Sequence, residues 1–144
     1  MHHMRGLLCA LLFVPLLYGA KNLDIYFIDV EGGQATLIVS PSGESMLVDT
    51  GWSNHNFRDA TRIAYAAKAA KVKKLDYVLI THYHEDHVGG VPNLVQKLPV
   101  LNFVDHGPNN ETDKNAKRLS DAYLKAIGAS NHIVVKPGDT IPLK

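Results

Sequence analysis

Cysteine is almost missing from this chain of 144 residues. The one cysteine, Cys9, sits in an apolar run near the N-terminus. Residues 21–144 contain none, so no disulfide can staple that part of the fold. A metal site there would have to be built from His, Asp and Glu. Excess charge is missing too. The net charge is +1, from 15 basic and 14 acidic residues, so no basic patch points to nucleic acid or an anionic membrane. Long apolar runs are also lacking: residues 7–18 fall short of the about 20 residues a membrane span needs. There is no internal repeat and no low-complexity stretch. What remains is an ordinary globular composition, 46% hydrophobic, with a length suited to one domain.

The N-terminus reads as a separate segment. Arg5 precedes the apolar residues 7–18, and the small residues Gly19 and Ala20 close the run. That order of basic, apolar and small residues is the order of a secretory signal. It predicts a signal peptide over residues 1–20, a domain over 21–144, and a secreted or periplasmic location with no span left after cleavage. Tyr18 is bulky for a position so near the cut, so an uncleaved anchor is the competing reading. Met4 is an alternative start. Gly6-Leu7-Leu8 before Cys9 lack the small residues of a lipoprotein site.

Along the remaining chain, residues 23–30 are rich in aromatic and β-branched side chains and read as a strand. Gly32 and Gly33 favour a turn, residues 35–39 a second strand in hairpin with the first, and 45–48 a third. Residues 56–70 carry Phe57, Ala60, Ile63, Ala64 and Ala67 at helical spacing, with Ser53 or Asn54 as the cap. Lys68, Lys71, Lys73 and Lys74 crowd the end of that helix, where they favour its dipole. Residues 75–80 form a buried-strand pattern, 91–97 a short helix and 100–104 a strand. Residues 113–127 read as an amphipathic helix closed by Gly128, and 132–135 and 140–143 as strands around a Pro137-Gly138-Asp139 turn. Hairpins first, then strands alternating with helices, predict an α/β fold: a mixed sheet with helices packed on it.

The chemistry is concentrated in one stretch. After the 75–80 strand comes Thr81, then His82-Tyr83-His84-Glu85-Asp86-His87, then Gly89 and Gly90. Neutral imidazole and carboxylate are donors that Zn²⁺ accepts. On an extended segment His82 and His84 point the same way and can grip one ion. Asp86 and His87 follow a turn and can face a second. The cluster falls at a strand's C-terminal end, where open α/β sheets place ligand crevices. A solvated loop rich in histidine is the bland alternative. Upstream, Asp49-Thr50-Gly51 ends another strand, and Asp49 reads either as a group supporting the ligands or as a turn cap. Trp52 and His55 come next and could line the mouth of the site. His106 ends the 100–104 strand and is a candidate for substrate contact.

His82, His84, Asp86 and His87 spell HxHxDH, and the chain here resembles the metallo-β-lactamase fold superfamily of metallohydrolases. Asp49-Thr50-Gly51 matches a second element of that family. The segment Asp29-Val30-Glu31-Gly32-Gly33-Gln34-Ala35 looks like the opening strand and turn of the metallohydrolase domain attached to bacterial DNA-uptake channel proteins, departing from it at Glu31, Gly32 and Gln34. The resemblance implies an αβ/βα sandwich of two similar halves. It implies two zinc ions, the first held by His82 and His84 and the second by Asp86 and His87, with Asp49 behind them. It also implies hydrolysis of an ester, amide or phosphodiester by a metal-activated water that Asp86 orients as the catalytic carboxylate. The family pattern needs further ligands downstream. Only His106 and His132 follow the motif, and neither is carried over as a ligand. The chain therefore reads as the N-terminal half of the domain, with a dimer or a missing C-terminal half as its expected complement. Besides the zinc hydrolase, two readings stay open: a non-catalytic half-domain, and a diiron redox protein, whose relatives place a glutamate where His84 stands.

Overall fold

The computed structural model describes residues 22–53 and 55–144. The signal-like segment, Cys9 and Asn54 lie outside the described residues. Strands β1 (Asp24–Phe27), β2 (Thr36–Val39) and β3 (Ser45–Val48) run as an antiparallel meander. Strands β4 (Leu75–Leu79), β5 (Val100–Asp105) and β6 (Asn131–Val134) then join parallel to β3. The six strands lie in sequence order in one sheet. Helix α1 (Arg58–Ala69) links β3 to β4, the one-turn helices α2 (Glu85–Val88) and α3 (Val91–Leu94) link β4 to β5, and α4 (Lys114–Ile127) links β5 to β6. Parallel neighbours need such crossovers, because a two-residue turn cannot return the chain to the same end.

Alternation within the strands decides which face is the core. Leu37, Leu47, Val78 and Phe103 lie in register across four strands and are fully buried. Every helix contributes to that same cluster: Ala60, Ile63 and Ala67 from α1, Val88 from α2, Val91 and Leu94 from α3, and Leu119, Tyr123 and Ile127 from α4. All four helices therefore pack on one face. Truncating Leu47 to Ala would cost about 2–5 kcal/mol. On the opposite face Ile38, Met46, Val48 and Leu79 are half-buried, and among the described residues no helix covers them. One sheet with one helical layer is the expected α/β half of a sandwich. Among the described residues no helix is long and apolar enough to cross a membrane.

Three expectations need correction. Helix α1 begins two residues later than 56, because His55, Asn56 and Phe57 take left-handed backbone (φ 60°, 52° and 62°). Phe57 occupies the cap position with no side-chain hydrogen bond, so Ser53 does not cap it. Residues 140–143 form no strand. Their backbone leaves the sheet after Val135, and Lys144 meets the β2–β3 turn, where its N–H donates to Glu44 Oε2 at 2.8 Å. At the other helix Gly128 closes α4 as expected, and Asp113, read as its first residue, is its cap, accepting from the N–H groups of Asn115 and Ala116.

Candidate metal centre

The parallel strands β3, β4 and β5 all end at the same edge of the sheet, and their C-terminal residues build the site. Asp49 follows β3 and is fully buried, in left-handed backbone (φ 59°) that aspartate tolerates better than most residues. Thr81 and His82 follow β4. His84 keeps extended backbone (φ −72°, ψ 152°) and caps α2, so the chain turns immediately after it. Asp86 and His87 then lie on that single turn, not on a loop. The acids Glu85 and Asp86 stand in its first turn, where they complement the helix dipole.

Close backbone contacts hold this corner together. Both the N–H and the hydroxyl of Thr50 donate to the His87 carbonyl, each at 2.8 Å, and Gly90 N–H donates to the Gly51 carbonyl at 2.9 Å. A Cβ on Gly90 would meet the Thr50 carbonyl oxygen at 2.1 Å, so only glycine fits there. From the other side, Gln34 N–H donates to the Asp86 carbonyl at 3.1 Å. Gly33 approaches that same carbonyl so closely that a Cβ would come within 2.5 Å. Gly33 thus serves close approach to the motif, while the left-handed turn is made by Glu31 and Gly32.

Three imidazoles gather over this frame. The His82 and His84 rings are 4.6 Å apart, and the His82 and His87 rings 3.9 Å. Each ring has one nitrogen already engaged. His87 Nδ1 lies 2.8 Å from Asp49 Oδ2, His84 Nε2 lies 3.0 Å from Glu111 Oε1, and His82 Nδ1 lies 3.1 Å from the Thr81 hydroxyl. A carboxylate only accepts, so His87 donates from Nδ1 and His84 from Nε2. Their lone pairs are then on Nε2 and Nδ1. Burial, followed by the neighbouring His87 and His84, holds His82 below the ordinary imidazole pKa and favours the neutral form that binds metal. Asp86 Oδ2 stands 3.4 Å from His87 Nε2, an electrostatic neighbour beyond hydrogen-bond range.

This donor set suits a divalent ion that takes imidazole and carboxylate, as zinc does. Among the described residues no three His, Cys, Asp or Glu side chains yet stand close enough to hold one ion. The rings pack against one another instead. His106 is not gathered with them. It is exposed and packs at a tilt against Tyr83, 5.0 Å between ring centroids. Tyr83 alternates with His82 and His84, is buried, and donates from its hydroxyl to the Gly107 carbonyl at 2.5 Å. His55 is exposed, and Trp52 is half-buried beside Gly33.

A second polar cluster, not foreseen from sequence, lies behind Tyr83. Asp105, at the end of β5, is buried. It accepts from the Tyr123 hydroxyl, the Gly107 N–H and His132 Nε2, each at 2.7 Å. Burial, then Asp105 itself, pushes the Tyr83 and Tyr123 phenols well above their ordinary range, so both keep their protons and donate. Thr81 and Glu111 were also missed. Thr81 directly precedes the motif, and that adjacency was a usable signal. Glu111 is 27 residues from His84 and had none.

Comparison with known proteins gives the family. A hydroxyacylglutathione hydrolase of Aliivibrio fischeri is 60% identical over 67 residues, covering 40% of this chain and 26% of that protein. The atrochrysone carboxyl ACP thioesterase AgnL7 of Paecilomyces divaricatus is 30% identical over 106 residues, 69% of this chain and 33% of that protein. A Cronobacter sakazakii metallo-β-lactamase, a HARLDQ motif mutant, superposes with a TM-score of 0.56 at 16% identity, over 86% of this chain and 50% of that one. The chain spans less than half the length of the curated relatives it matches. The family model described as the metallo-β-lactamase superfamily, whose members usually bind metal ions, matches residues 28–143, and the chain belongs to that superfamily.

Proposed function

We propose that this protein is a zinc-dependent hydrolase acting on esters or thioesters. The observation that carries the reading is the set of three gathered imidazoles, two of them with the tautomer fixed by a carboxylate partner. His82 and His84 would hold one ion, and Asp86 and His87 a second. Zinc held there would supply Lewis acidity toward the substrate oxygen and would acidify water at the site. Asp86 would orient the attacking water and carry its proton toward the leaving group. Asp49 holds His87 from behind. The names of two relatives, a hydroxyacylglutathione hydrolase and an ACP thioesterase, favour thioesters over phosphodiesters. Export from the cytoplasm is proposed on Arg5 and the apolar residues 7–18, and N-terminal sequencing of the protein purified from its source tests it.

The test is calorimetric zinc titration of the wild type and of His82→Ala and His84→Ala, with hydrolysis of acyl-glutathione and acyl-ACP thioesters by the zinc-loaded full-length protein. Uptake of the first ion is expected to vanish in both variants while the second position keeps Asp86 and His87, and turnover is expected to require zinc. A wild type that takes up no zinc overturns the reading. A second reading rests on the same count of donors: the motif offers each ion two protein ligands, where catalytic zinc sites keep three. Zinc uptake without turnover of any substrate would favour this non-catalytic metal-binding role.

A further inference from the structure

The Thr81 hydroxyl stands between two groups that need different things from it. It lies 2.7 Å from Asp49 Oδ2 and 3.1 Å from His82 Nδ1. A hydroxyl has one proton to give. The carboxylate can only accept, so the proton goes to Asp49, and the remaining contact must run the other way, from His82 Nδ1–H to Thr81 Oγ1. The lone pair of His82 is then on Nε2. Asp49 Oδ2 also accepts from His87 Nδ1, at 2.8 Å, and its other oxygen accepts from the Thr81 N–H, at 2.8 Å. One buried carboxylate thus touches His87 directly and His82 through a single hydroxyl.

We propose that Thr81 is a positioning residue: it relays Asp49 to His82, so that one carboxylate fixes the tautomers of a histidine on each of the two metal positions. The inference rests on the metal-binding reading above. Its chemical content is separate, because a tautomer exists without a metal. The Thr81 N–H anchors the backbone to Asp49 whether or not the hydroxyl is present, so Thr81→Val removes the relay and leaves the anchor. His87 is the internal control, since its partner is Asp49 itself.

The experiment is long-range ¹H–¹⁵N correlation NMR of the imidazoles in metal-free protein, at a pH well above the ordinary imidazole value of about 6.5, with zinc titration of the same samples. In the wild type His82 and His87 are expected as Nδ1–H tautomers. Thr81→Val is expected to return His82 to the tautomer mixture of a free imidazole, to leave His87 unchanged, and to weaken zinc binding by about tenfold, as loss of a ligand's supporting hydrogen bond does. Thr81→Ser, which keeps the hydroxyl, is expected to restore both. A His82 signal that is the same in the wild type and in Thr81→Val overturns the relay, as does failure of Thr81→Ser to restore it. A wild type with the expected tautomers but no zinc uptake overturns the metal reading, and the positioning role falls with it.

Discussion

Asp49 and Asp105 are two answers to one problem, and they differ in what surrounds the answer. Each is a buried aspartate at the C-terminal end of a parallel strand, Asp49 just after β3 and Asp105 closing β5. Each satisfies its charge with one backbone N–H, one hydroxyl and one imidazole nitrogen: Thr81 N–H, the Thr81 hydroxyl and His87 for Asp49, and Gly107 N–H, the Tyr123 hydroxyl and His132 for Asp105. The imidazole on Asp49 sits 3.9 Å from the ring of His82, with His84 beyond it. The imidazole on Asp105 stands edge-on to Tyr123, at 6.3 Å. An aspartate–histidine pair at a strand end is therefore not itself a site. Additional imidazoles beside the pair make one a candidate metal centre, and aromatic rings beside the other make it a structural pin.

The sharpest way to break that comparison is to remove each carboxylate. Asp105→Ala leaves the Tyr123 hydroxyl and the Gly107 N–H without their partner, and Tyr123 is fully buried. Breaking a buried charged network in this way costs about 3–5 kcal/mol, read as a lowered urea midpoint. Zinc affinity of the molecules that remain folded should hardly change. Asp49→Asn has the opposite signature. The amide oxygen still accepts from the Thr81 N–H, but the amide nitrogen in place of Oδ2 cannot accept from His87 or the Thr81 hydroxyl, so zinc affinity should fall by about 10–100-fold while stability falls by about 1–3 kcal/mol. If the two variants lose stability and zinc affinity in the same proportion, the distinction between centre and pin is wrong.

The contrast also explains how far the sequence could be read. The strand at Ser45–Val48, the helix end at Gly128 and the HxHxDH cluster each announce themselves within a few residues, through alternation, capping chemistry or ligand spacing. Asp49 stood out because it ends a strand. The groups that set histidine tautomers do not announce themselves. Glu111 reaches His84 across 27 residues, and Asp105 reaches His132 across the same separation. Such pairs are decided by which strands lie side by side, and no local periodicity carries that information. The expected strand at 140–143 failed for a related reason: its alternation is real, but β6 is the last strand in the sheet and the chain beyond Val135 does not pair with it.

Smaller changes sharpen the same comparison. Tyr123→Phe removes one of the three donors to Asp105 and keeps the ring in the core, so a loss of about 1–1.5 kcal/mol is expected, again without effect on zinc. Glu111→Ala removes the partner of His84 Nε2. That pair is exposed on both sides, and exposed pairs are worth at most about 1 kcal/mol, so stability should be unchanged and zinc affinity should fall only several-fold. An effect as large as that of Asp49→Asn would mean that His84, and not the Asp49 frame, limits metal capture.

Asp76 supplies the control that has no histidine. It lies at the start of β4, at the end of the sheet opposite the candidate centre, and accepts from the Ser45 N–H at 2.9 Å and from the Lys74 ammonium. Burial pushes its carboxyl up, but the Lys74 ammonium and the Ser45 donors outweigh that and hold it below the ordinary carboxylate range. A carboxyl whose pKa is lower folded than unfolded stabilises the fold above the unfolded value, about 3.9. That contribution is lost as the pH falls through the lower, folded value. Asp76→Asn should therefore be less stable than the wild type near neutral pH, and the difference should shrink below about pH 4. Zinc binding should be the same in both. A stability gap that persists unchanged to low pH would show that Asp76 acts through its hydrogen-bond geometry alone. Its charge would then contribute nothing, and the carboxylates at the other end of the sheet would need the same scrutiny before charge is credited with holding their histidines.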